Sequence, residues 1–338
     1  MEKTNQKKNH FQIYQDRTLK EFQEGMFTLP VEEHIWYINN DKYYQSNWHH
    51  YLIDPWDFQI NNKFALNFLK KTYFYSSAFF QLIKTFRLPY RIPNKNSIIF
   101  VGHRNKDFSG LDELFSVFKR INEKDKYYTI VIGKNYRGIT HKYLEYIPKN
   151  INKIFSNNVN ISHPKIVYLP LGRDFRSSDL FDQVKPQCEK KYLCYCNFSV
   201  NTHPLREKTF DLLKNKTFIE FEHMGNFKQY SISRLEFFQK LAASKFAICP
   251  RGQGIDTFRL WDCLYVGTIP IVVKEAVFHE SIKNLPILFL DNYDDYANLT
   301  EDFLNETYQK FLEQQFDYRK LLLSFWLNQI NESLTIRN

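Results

Sequence analysis

The stretch FAICPRGQGIDTFRLWDCLYVGTIPIVV, residues 246–273, decides the fold of this chain. It begins with an apolar run, passes through a turn with Pro, Arg and two Gly, and continues into a segment of aromatic and charged residues before a second apolar run. Short apolar runs bounded by Gly and Pro are typical of buried strands, and the segment between them is typical of a helix. The stretch therefore predicts a β–α–β unit with a glycine-containing turn after its first strand.

The rest of the chain repeats this alternation of strands and helices. Apolar runs of strand length at 97–102, 127–133 and 165–172 are separated by amphipathic helical patterns, and the alternation resumes at 192–198. Strands that alternate with helices indicate parallel sheets with helices on both faces. We therefore predict an α/β fold built from doubly wound, Rossmann-like parallel sheets.

A polar, proline-containing segment, residues 177–191, separates the two series of strands. It predicts an N-terminal domain of residues 1–180 and a C-terminal domain of residues 190–338, facing each other across a cleft. Residues 1–95 of the first domain show no clear pattern. Ligands of doubly wound sheets bind outside the carboxyl ends of the strands, so we expect binding residues in the loops that follow the strands.

The charge of the chain favours anionic partners. It has 338 residues, 46 of them Lys or Arg and 37 Asp or Glu, with a formal net charge of +9. Phosphates, acidic glycans and anionic membrane surfaces are the expected classes; a mildly basic solvated surface explains the same excess. No nucleic-acid-binding motif with interleaved aromatics is present, so we expect no nucleic-acid partner.

The N-terminus lacks the apolar core of a signal peptide, and no run of about 18 apolar residues occurs. We expect a cytoplasmic protein with at most peripheral membrane contact.

The five cysteines are odd in number and lack zinc-site spacing, which predicts reduced core thiols and no metal-binding residues. No Asp-x-Asp motif ends a strand. We therefore expect the negative charge of any bound nucleotide to be neutralised by Arg side chains and helix N-termini without a metal.

The turn in the quoted stretch has the features of an anion site. Gly252 and Gly254 permit positive φ angles and close approach of a ligand to the backbone. Asp256 or Thr257 is a natural cap for the helix that follows. Free N–H groups and the positive end of the helix dipole would then face whatever lies on the turn, which suits an anion.

Charged side chains surround this turn. Arg251 lies in it, and Arg259 lies in the first turn of the predicted helix, where both could make bidentate contacts with phosphate. Asp256, Arg259 and Asp262 recur every three residues and would share one helix face, with a carboxylate suited to ribose hydroxyls. The alternative is a surface stripe of ion pairs, which would contribute little to stability.

The same residues carry a family resemblance. The stretch resembles the signature of exostosin-like glycosyltransferases, of the family 47 type, which runs Cys-Pro-Arg-Gly-x-Gly, then Arg-x-x-Glu-(Ala/Cys)-Leu, then Gly-x-Ile-Pro-Val. The strong similarity covers about 30 residues, and a weaker one extends over 97–290. The resemblance implies a GT-B fold, with two Rossmann-like domains facing a cleft and the nucleotide-sugar donor on the C-terminal domain.

The resemblance also implies roles for individual residues. Arg251 and Arg259 would bind the diphosphate, and Gly252 and Gly254 would form the close backbone turn. Asp262 stands where the family has the Glu that binds ribose, so its contact would be weaker or mediated by water. Thr257 replaces the usual Ser and keeps the hydroxyl.

A second loop of the C-terminal half is expected to face the donor phosphates. It follows the strand at 192–198 and contains Asn197, Thr202 and Arg206 as candidate contacts. A polar loop that merely caps the next helix is the alternative interpretation. The sequence does not decide between the two.

The acceptor side is predicted from three loops of the N-terminal half. The loops at 101–107, 132–138 and 171–176 each follow an apolar run and contain Gly and then basic residues. If the strands are parallel, these loops open on one sheet edge and form a basic site for an anionic sugar or a lipid-linked phosphate. Exposed loops of a basic protein are the alternative.

An inverting transfer needs a base that takes the proton of the acceptor hydroxyl. His103 and Asp107 are the best candidates by sequence position. Further candidates are Asp174, Glu222 and His223. A packing or hydrogen-bonding role is the alternative for each.

The sequence thus predicts an inverting glycosyltransferase, a hexosyl- or pentosyltransferase, with a nucleotide-sugar donor, expected to be a UDP-sugar. The expected acceptor is a glycan, a lipid-linked sugar or a polysaccharide. Two alternatives stay open. One is a GDP-sugar-using, fucosyltransferase-like GT-B enzyme, and the other is a non-catalytic nucleotide- or glycan-binding protein that retains the fold.

Overall fold

The computed structural model describes most of the C-terminal half and the sheet of the N-terminal half. The described residues are 59–60, 97–102, 127–133, 139, 141–145, 147–172, 180, 183–184, 189–222, 232–321, 326, 329–330 and 332–333.

The N-terminal half contains a five-stranded sheet in which every pairing is parallel. The strands follow one another in chain order across the sheet. They are β1 Gln59–Ile60, β2 Ser97–Gly102, β3 Tyr128–Gly133, β4 Ile151–Ser156 and β5 Ile166–Tyr168. A short helix, α1 His141–Leu144, lies between β3 and β4.

The C-terminal half contains a second five-stranded parallel sheet, of order β10-β9-β8-β6-β7. Its strands are β6 Tyr192–Cys196, β7 Ile219–Phe221, β8 Ser244–Ile248, β9 Ile269–Val273 and β10 Leu288–Leu290. Its helices are α2 Pro204–Leu213, α3 Arg234–Ala242, α4 Phe258–Tyr265, α5 Ala276–Ile282 and α6 Glu301–Glu313. Short 3₁₀ helices lie at Val200–Thr202, Tyr293–Asn298 and Tyr318–Leu321.

Four helices, α2, α3, α4 and α6, begin after a residue whose side chain accepts a hydrogen bond from a free backbone N–H group. Ser233 accepts a hydrogen bond from the N–H of Glu236 at the start of α3, and Thr300 accepts one from Phe303 at the start of α6. Helix α2 begins with Pro204, whose missing N–H costs nothing in the first turn. These caps explain why the four helices start where the sequence changes from loop to amphipathic pattern.

Both faces of the second sheet are buried, because its strands alternate between two cores. Phe246 and Ile248 of β8 pack in a core with Tyr308 of α6. Ala247, between them, points to the opposite core, which it shares with Trp261 of α4. A strand buried on both faces reads as a continuous apolar run, which is why β8 was recognisable in the sequence.

The core that contains Trp261 extends across both halves of the protein. It includes Tyr128 and Ile154 of the first sheet together with Phe278 of α5. The two sheets therefore share one apolar interior at their junction, in addition to the polar contacts between Asp256 and the residues at the end of β5 and just beyond it.

The last described residues return to the first sheet. Ser333 Oγ lies 2.6 Å from Thr129 Oγ1 of β3, and the Ser333 carbonyl accepts a hydrogen bond from Asn152 of β4 at 3.1 Å. Trp326 and Ile330 belong to the core shared by both halves. The domain limits 1–180 and 190–338 stay a prediction, and these contacts place the end of the chain against the first sheet.

The carboxyl ends of the two sheets face each other. Asp256, which follows β8, contacts Tyr168 at the end of β5 and Leu171 just beyond it. Two Rossmann-like parallel sheets that meet at this edge confirm the predicted α/β fold of GT-B type. In the described ranges, no helix has the length and apolar character needed to cross a bilayer.

The thiol prediction is confirmed for the four cysteines that lie in described segments. Cys194, Cys196, Cys249 and Cys263 are free and buried. Burial raises the pKa of Cys196 above its ordinary value, as expected for a thiol in a core. Cys188 lies outside the described residues.

Candidate functional site

The turn between β8 and α4 lies at the point where the strand order of the second sheet reverses. β6 and β8 are neighbours in the sheet, and the chain leaves them in opposite directions, toward β7 from β6 and toward β9 from β8. Doubly wound sheets bind ligands in the crevice at such a point. The loop after β6 and the turn after β8, which the sequence singled out independently, are the two sides of this crevice.

Arg206 of α2 holds these two sides together. Its Nε donates to the carbonyl of Arg251 at 2.7 Å, its Nη2 to that of Pro250 at 3.3 Å, and its Nη1 to that of Ser199 at 3.1 Å. The guanidinium also lies over the ring of Phe198, 5.6 Å from the centroid. Much of its donor capacity is therefore used by the protein itself, and its direct contact with a ligand stays a prediction.

Arg251 projects from the turn beside a carboxylate that the sequence did not single out. Its Nη1 lies 3.2 Å from Glu275 Oε1, and the two side chains are 26% and 31% exposed. The Nε of Arg251 is buried and has no hydrogen-bond partner among the described residues. One side of this guanidinium is thus neutralised by Glu275, and the other retains an unsatisfied donor.

Arg259 lies in the first turn of α4, as the sequence predicted. Its guanidinium stacks over the ring of Phe237 of α3, 4.7 Å from the centroid. Its Nη1 is buried, again without a partner in the part of the chain that the structure describes. A buried N–H without a partner is costly, which makes both arginines candidates for binding an anion.

The positive charges around the turn affect the pKa values of neighbouring groups. Burial, and then the positive charge of Arg259, lower the pKa of Arg206 to about 10. Burial also lowers the pKa of His203, and the charges of Arg251 and Arg206 lower it further. His203 caps α2 by accepting the N–H of Leu205 on Nδ1 at 3.2 Å, so the neutral ring carries its proton on Nε2.

The two glycines of the turn leave room for two side chains that pack against its backbone. Neither has a positive φ, contrary to the expectation from the sequence; the described glycines with positive φ are Gly172 and Gly267. A Cβ on Gly252 would lie 3.3 Å from Nη2 of Arg206, and one on Gly254 only 2.3 Å from Oδ1 of Asn158. The groups that approach the two glycines are therefore side chains of the protein itself, and the predicted close approach of a ligand to this backbone stays a prediction.

Asp256 is placed differently from the prediction. Helix α4 begins at Phe258 with Thr257 as its cap, so Asp256 precedes the helix and does not share a helix face with Arg259. Asp256 is 2% exposed and Asp262 is 5% exposed. The alternative of a surface stripe of ion pairs is therefore also wrong, because both carboxylates are buried.

The hydrogen bonds of Asp256 run to both halves of the protein. Its carboxylate accepts from Tyr168 Oη at 2.6 Å, from the N–H of Leu171 at 2.6 Å and from Trp261 Nε1 at 2.7 Å. Burial raises the pKa of Asp256 to about 6, although the bonds from Tyr168, Leu171 and Trp261 act in the opposite direction. A carboxylate with these partners is not directed at a ligand.

The remaining predicted contacts make local bonds. The Thr257 hydroxyl accepts the N–H of Leu260 at 3.4 Å. Asn197 donates to Tyr195 Oη at 3.0 Å, and Thr202 donates to the carbonyl of Ser199 at 3.3 Å. These bonds fit the interpretation of a capping loop. Ligand contacts by Thr257 and Asp262 stay predictions.

The predicted acceptor side lies mostly outside the described residues. His103, Asp107, Asp174 and His223 are not described, and neither are residues 134–138 and 173–176. Glu222 is described and pairs with Lys240. The strands do end at one edge, since Gly102 is in register with Gly133 in the parallel pair of β2 and β3. No cluster of three or more His, Cys, Asp or Glu that could hold a metal occurs in the described ranges.

The residues that sequence reasoning missed are Glu275, His203 and Asn158. A signal existed for Glu275, because it lies just beyond β9 and the carboxyl ends of neighbouring parallel strands share an edge. Asn158 has a φ of 53°, in the left-handed region that Asn tolerates better than most residues. Its contact with Gly254 has no sequence signal.

A family model described as the RXYLT1 C-terminal domain matches residues 173–336. The match covers just under half of the chain and contains Arg206, the turn and α4. The search of curated proteins found no match to the chain. Membership of the exostosin-like family itself stays a prediction.

Solved structures resemble the chain at low identity. An α1,3-fucosyltransferase is 13% identical, covers 78% of this chain and 89% of its own, and has a TM-score of 0.41. A structure of OtsA without ligand is 9% identical over 72% and 74%, with a TM-score of 0.42. A UDP-forming α,α-trehalose-phosphate synthase from Burkholderia xenovorans, in complex with glucose-6-phosphate, is 9% identical over 76% of both chains, with a TM-score of 0.41. Identities this low do not assign a donor or an acceptor to the chain.

Proposed function

We propose that this protein is an inverting glycosyltransferase that binds the diphosphate of a nucleotide sugar between the loop after β6 and the turn after β8. The observation that carries the proposal is the pair of buried guanidinium N–H groups, on Arg251 and Arg259, that lack partners among the described residues. Both lie at the reversal point of the sheet, where doubly wound folds bind ligands. The match of residues 173–336 to the RXYLT1 C-terminal domain supports a glycosyltransferase.

The catalytic role proposed for this site is to stabilise the diphosphate leaving group. Negative charge develops on the nucleotide diphosphate as its bond to the sugar breaks, and fixed positive groups at that position lower the barrier. Arg251 and Arg259 supply two guanidinium groups whose orientation is fixed by Glu275 and by the ring of Phe237. A site of this kind needs no metal for charge neutralisation, which agrees with the proposal of a metal-independent enzyme.

The proposed donor is a UDP-sugar and the proposed acceptor is a glycan or lipid-linked sugar, with an anionic acceptor favoured by the basic residues that follow β2 and β3. His103 and Asp107 are proposed as the base that takes the proton of the acceptor hydroxyl. The proposed location is the cytoplasm, with peripheral contact to a membrane where a lipid-linked acceptor is used.

The test is a thermal-shift and nucleotide-release panel of the full chain with UDP-, GDP-, CMP- and ADP-sugars, without added metal. Stabilisation by one nucleotide class and slow release of free nucleotide are expected. Stabilisation by GDP-sugars alone would favour the fucosyltransferase-like alternative. Tight binding with no release, even with acceptors supplied, would favour a non-catalytic binding protein. No stabilisation by any nucleotide would refute the proposed site.

A further inference from the structure

The turn that carries Arg251 is held from the first sheet as well as from its own. Asn158, two residues beyond β4, accepts a hydrogen bond on Oδ1 from the backbone N–H of Asp256 at 2.8 Å. Gly254 lies so close to the same side chain that a Cβ there would be 2.3 Å from Oδ1. The first sheet therefore contacts the backbone of the turn between Arg251 and Arg259.

The carboxylate of Asp256 adds a second link between the halves. Tyr168 and the N–H of Leu171 donate to it from the end of β5, and Trp261 donates to it from α4. Tyr168 is 2% exposed and Trp261 is fully buried. Since hydrogen bonds to a charged group are stronger than neutral ones, this buried carboxylate is a firm connection between the first sheet and the helix that carries Arg259.

The two links act on the same short segment. Arg251 precedes it, Arg259 follows it, and Gly254 and Asp256 are the residues that the first sheet contacts. Arg206 holds the other end of the turn through the carbonyls of Pro250 and Arg251. The turn is therefore fixed at one end by its own domain and at the other by the N-terminal half.

We propose that Asn158, Tyr168 and Asp256 are positioning residues of the candidate nucleotide site, through which docking of the first sheet sets the affinity for the nucleotide. This inference rests on the proposed function. Donors fixed before binding lose less entropy when the ligand arrives, so loosening the turn weakens binding without removing any contact to the ligand. Asn158 and Tyr168 lie before residue 173, where the family match begins.

The primary test is Tyr168→Phe in the full chain, which removes one hydrogen bond to Asp256 and little volume. We expect the Kd for the nucleotide identified by the panel to rise about 3- to 30-fold at a temperature where the variant is fully folded, since part of a charged hydrogen bond is lost from the support of the turn. Amide hydrogen exchange of residues 251–257 in the ligand-free protein should become faster.

The matched control is Thr129→Val, in the same sheet as Tyr168 but away from the turn, which removes a buried hydrogen bond between Thr129 and Ser333. We expect the melting temperature of both variants to fall, but the Kd of Thr129→Val to equal that of wild type. Equal Kd values for Tyr168→Phe, Thr129→Val and wild type would overturn the inference while leaving the proposed function intact. Failure of the wild-type chain to bind any nucleotide would overturn both.

A second pair of variants tests the contact of Asn158 with the turn. Gly254→Ala should raise the Kd at least about tenfold, because its Cβ displaces the turn from Asn158. In Gly254→Ala combined with Asn158→Gly the space is restored, and the positive φ at 158 suits glycine. The double variant is relieved of the clash but also lacks the hydrogen bond that Asn158 accepts from the N–H of Asp256, so its Kd should recover only in part and stay above that of wild type. Full recovery of the wild-type Kd, in a folded protein, would show that Asn158 does not position the turn.

Discussion

Replacement of Arg206 by Lys tests how the two sides of the crevice are joined. The guanidinium bonds the carbonyls of Ser199, Pro250 and Arg251 at once. A Lys ammonium on a flexible stem cannot reproduce this planar geometry and would keep about one of the bonds. Each hydrogen bond to a charged group contributes roughly 1.5–3 kcal/mol, so loss of two predicts a fall of about 3 kcal/mol in the free energy of unfolding.

The measurement is equilibrium unfolding in urea, read as a shift of the midpoint at constant slope. Lys208→Ala is the control on the same helix, since its ion pair with Asp294 joins side chains that are 44% and 74% exposed. Exposed pairs contribute about 0–1 kcal/mol, so the control should unfold almost as wild type does. An Arg206→Lys variant as stable as Lys208→Ala would refute the role of Arg206 in joining the two sides. Direct contact with a ligand would then be the better explanation of this arginine.

Two further predictions concern the anion site and the buried carboxylate. Arg259→Ala should lower kcat/KM for the donor by about 10- to 150-fold, the equivalent of one charged hydrogen-bond partner at roughly 1.5–3 kcal/mol, and unchanged transfer in steady-state assays would show that Arg259 does not bind the phosphates. Burial raises the pKa of Asp256 in the folded protein to about 6, above its unfolded value, so the stability associated with the protonated side chain is fully present below about pH 4 and is lost as pH rises through 6. The free energy of unfolding of Asp256→Asn, which cannot ionise, should therefore rise relative to that of wild type by roughly 2–3 kcal/mol between about pH 4 and about pH 6. Parallel pH profiles of the two proteins would show that the pKa of Asp256 is not raised.

The β–α–β unit of residues 246–273 could be predicted because its signals are local. The apolar run before Pro250 became β8, the segment after Thr257 became α4, and the run before Lys274 became β9. Burial of both sheet faces makes these strands apolar throughout, and a capping hydroxyl marks the helix start. Arg259 was correctly placed in the first turn of the helix for the same reason.

The surroundings of Asp256 could not be predicted because they depend on distant residues. Tyr168 is 88 positions away in sequence and Asn158 is 98, and no local pattern encodes such a pairing. The error about the helix face had a local cause. A repeat of charged residues every three positions indicates one face only inside a helix, and Asp256 lies before the cap at Thr257.

The glycines of the turn do not form the backbone cradle that their spacing suggested. A Gly-x-Gly sequence after a strand favours a ligand on the backbone, yet here side chains of Arg206 and Asn158 fill both places. The N–H of Gly252 is also used, by the carbonyl of Gly254 at 3.0 Å. In the proposed nucleotide site, recognition of phosphate would therefore depend chiefly on the side chains of Arg251 and Arg259, and less on backbone N–H groups.

Recognition by guanidinium groups has a consequence that a backbone cradle would not have. Arg251 is held 3.2 Å from Glu275, so a phosphate bound as proposed would compete with this carboxylate for the same guanidinium. Affinity then depends on the balance of charges within about one Debye length of the turn, roughly 10 Å at 0.1 M salt. We expect Glu275→Gln to tighten nucleotide binding at low ionic strength and to make the Kd more dependent on salt. The Kd of both proteins is measured by calorimetry between about 0.05 and 0.5 M NaCl, roughly the range over which screening changes most. Parallel salt profiles for variant and wild type would show that Arg251 does not face the phosphates.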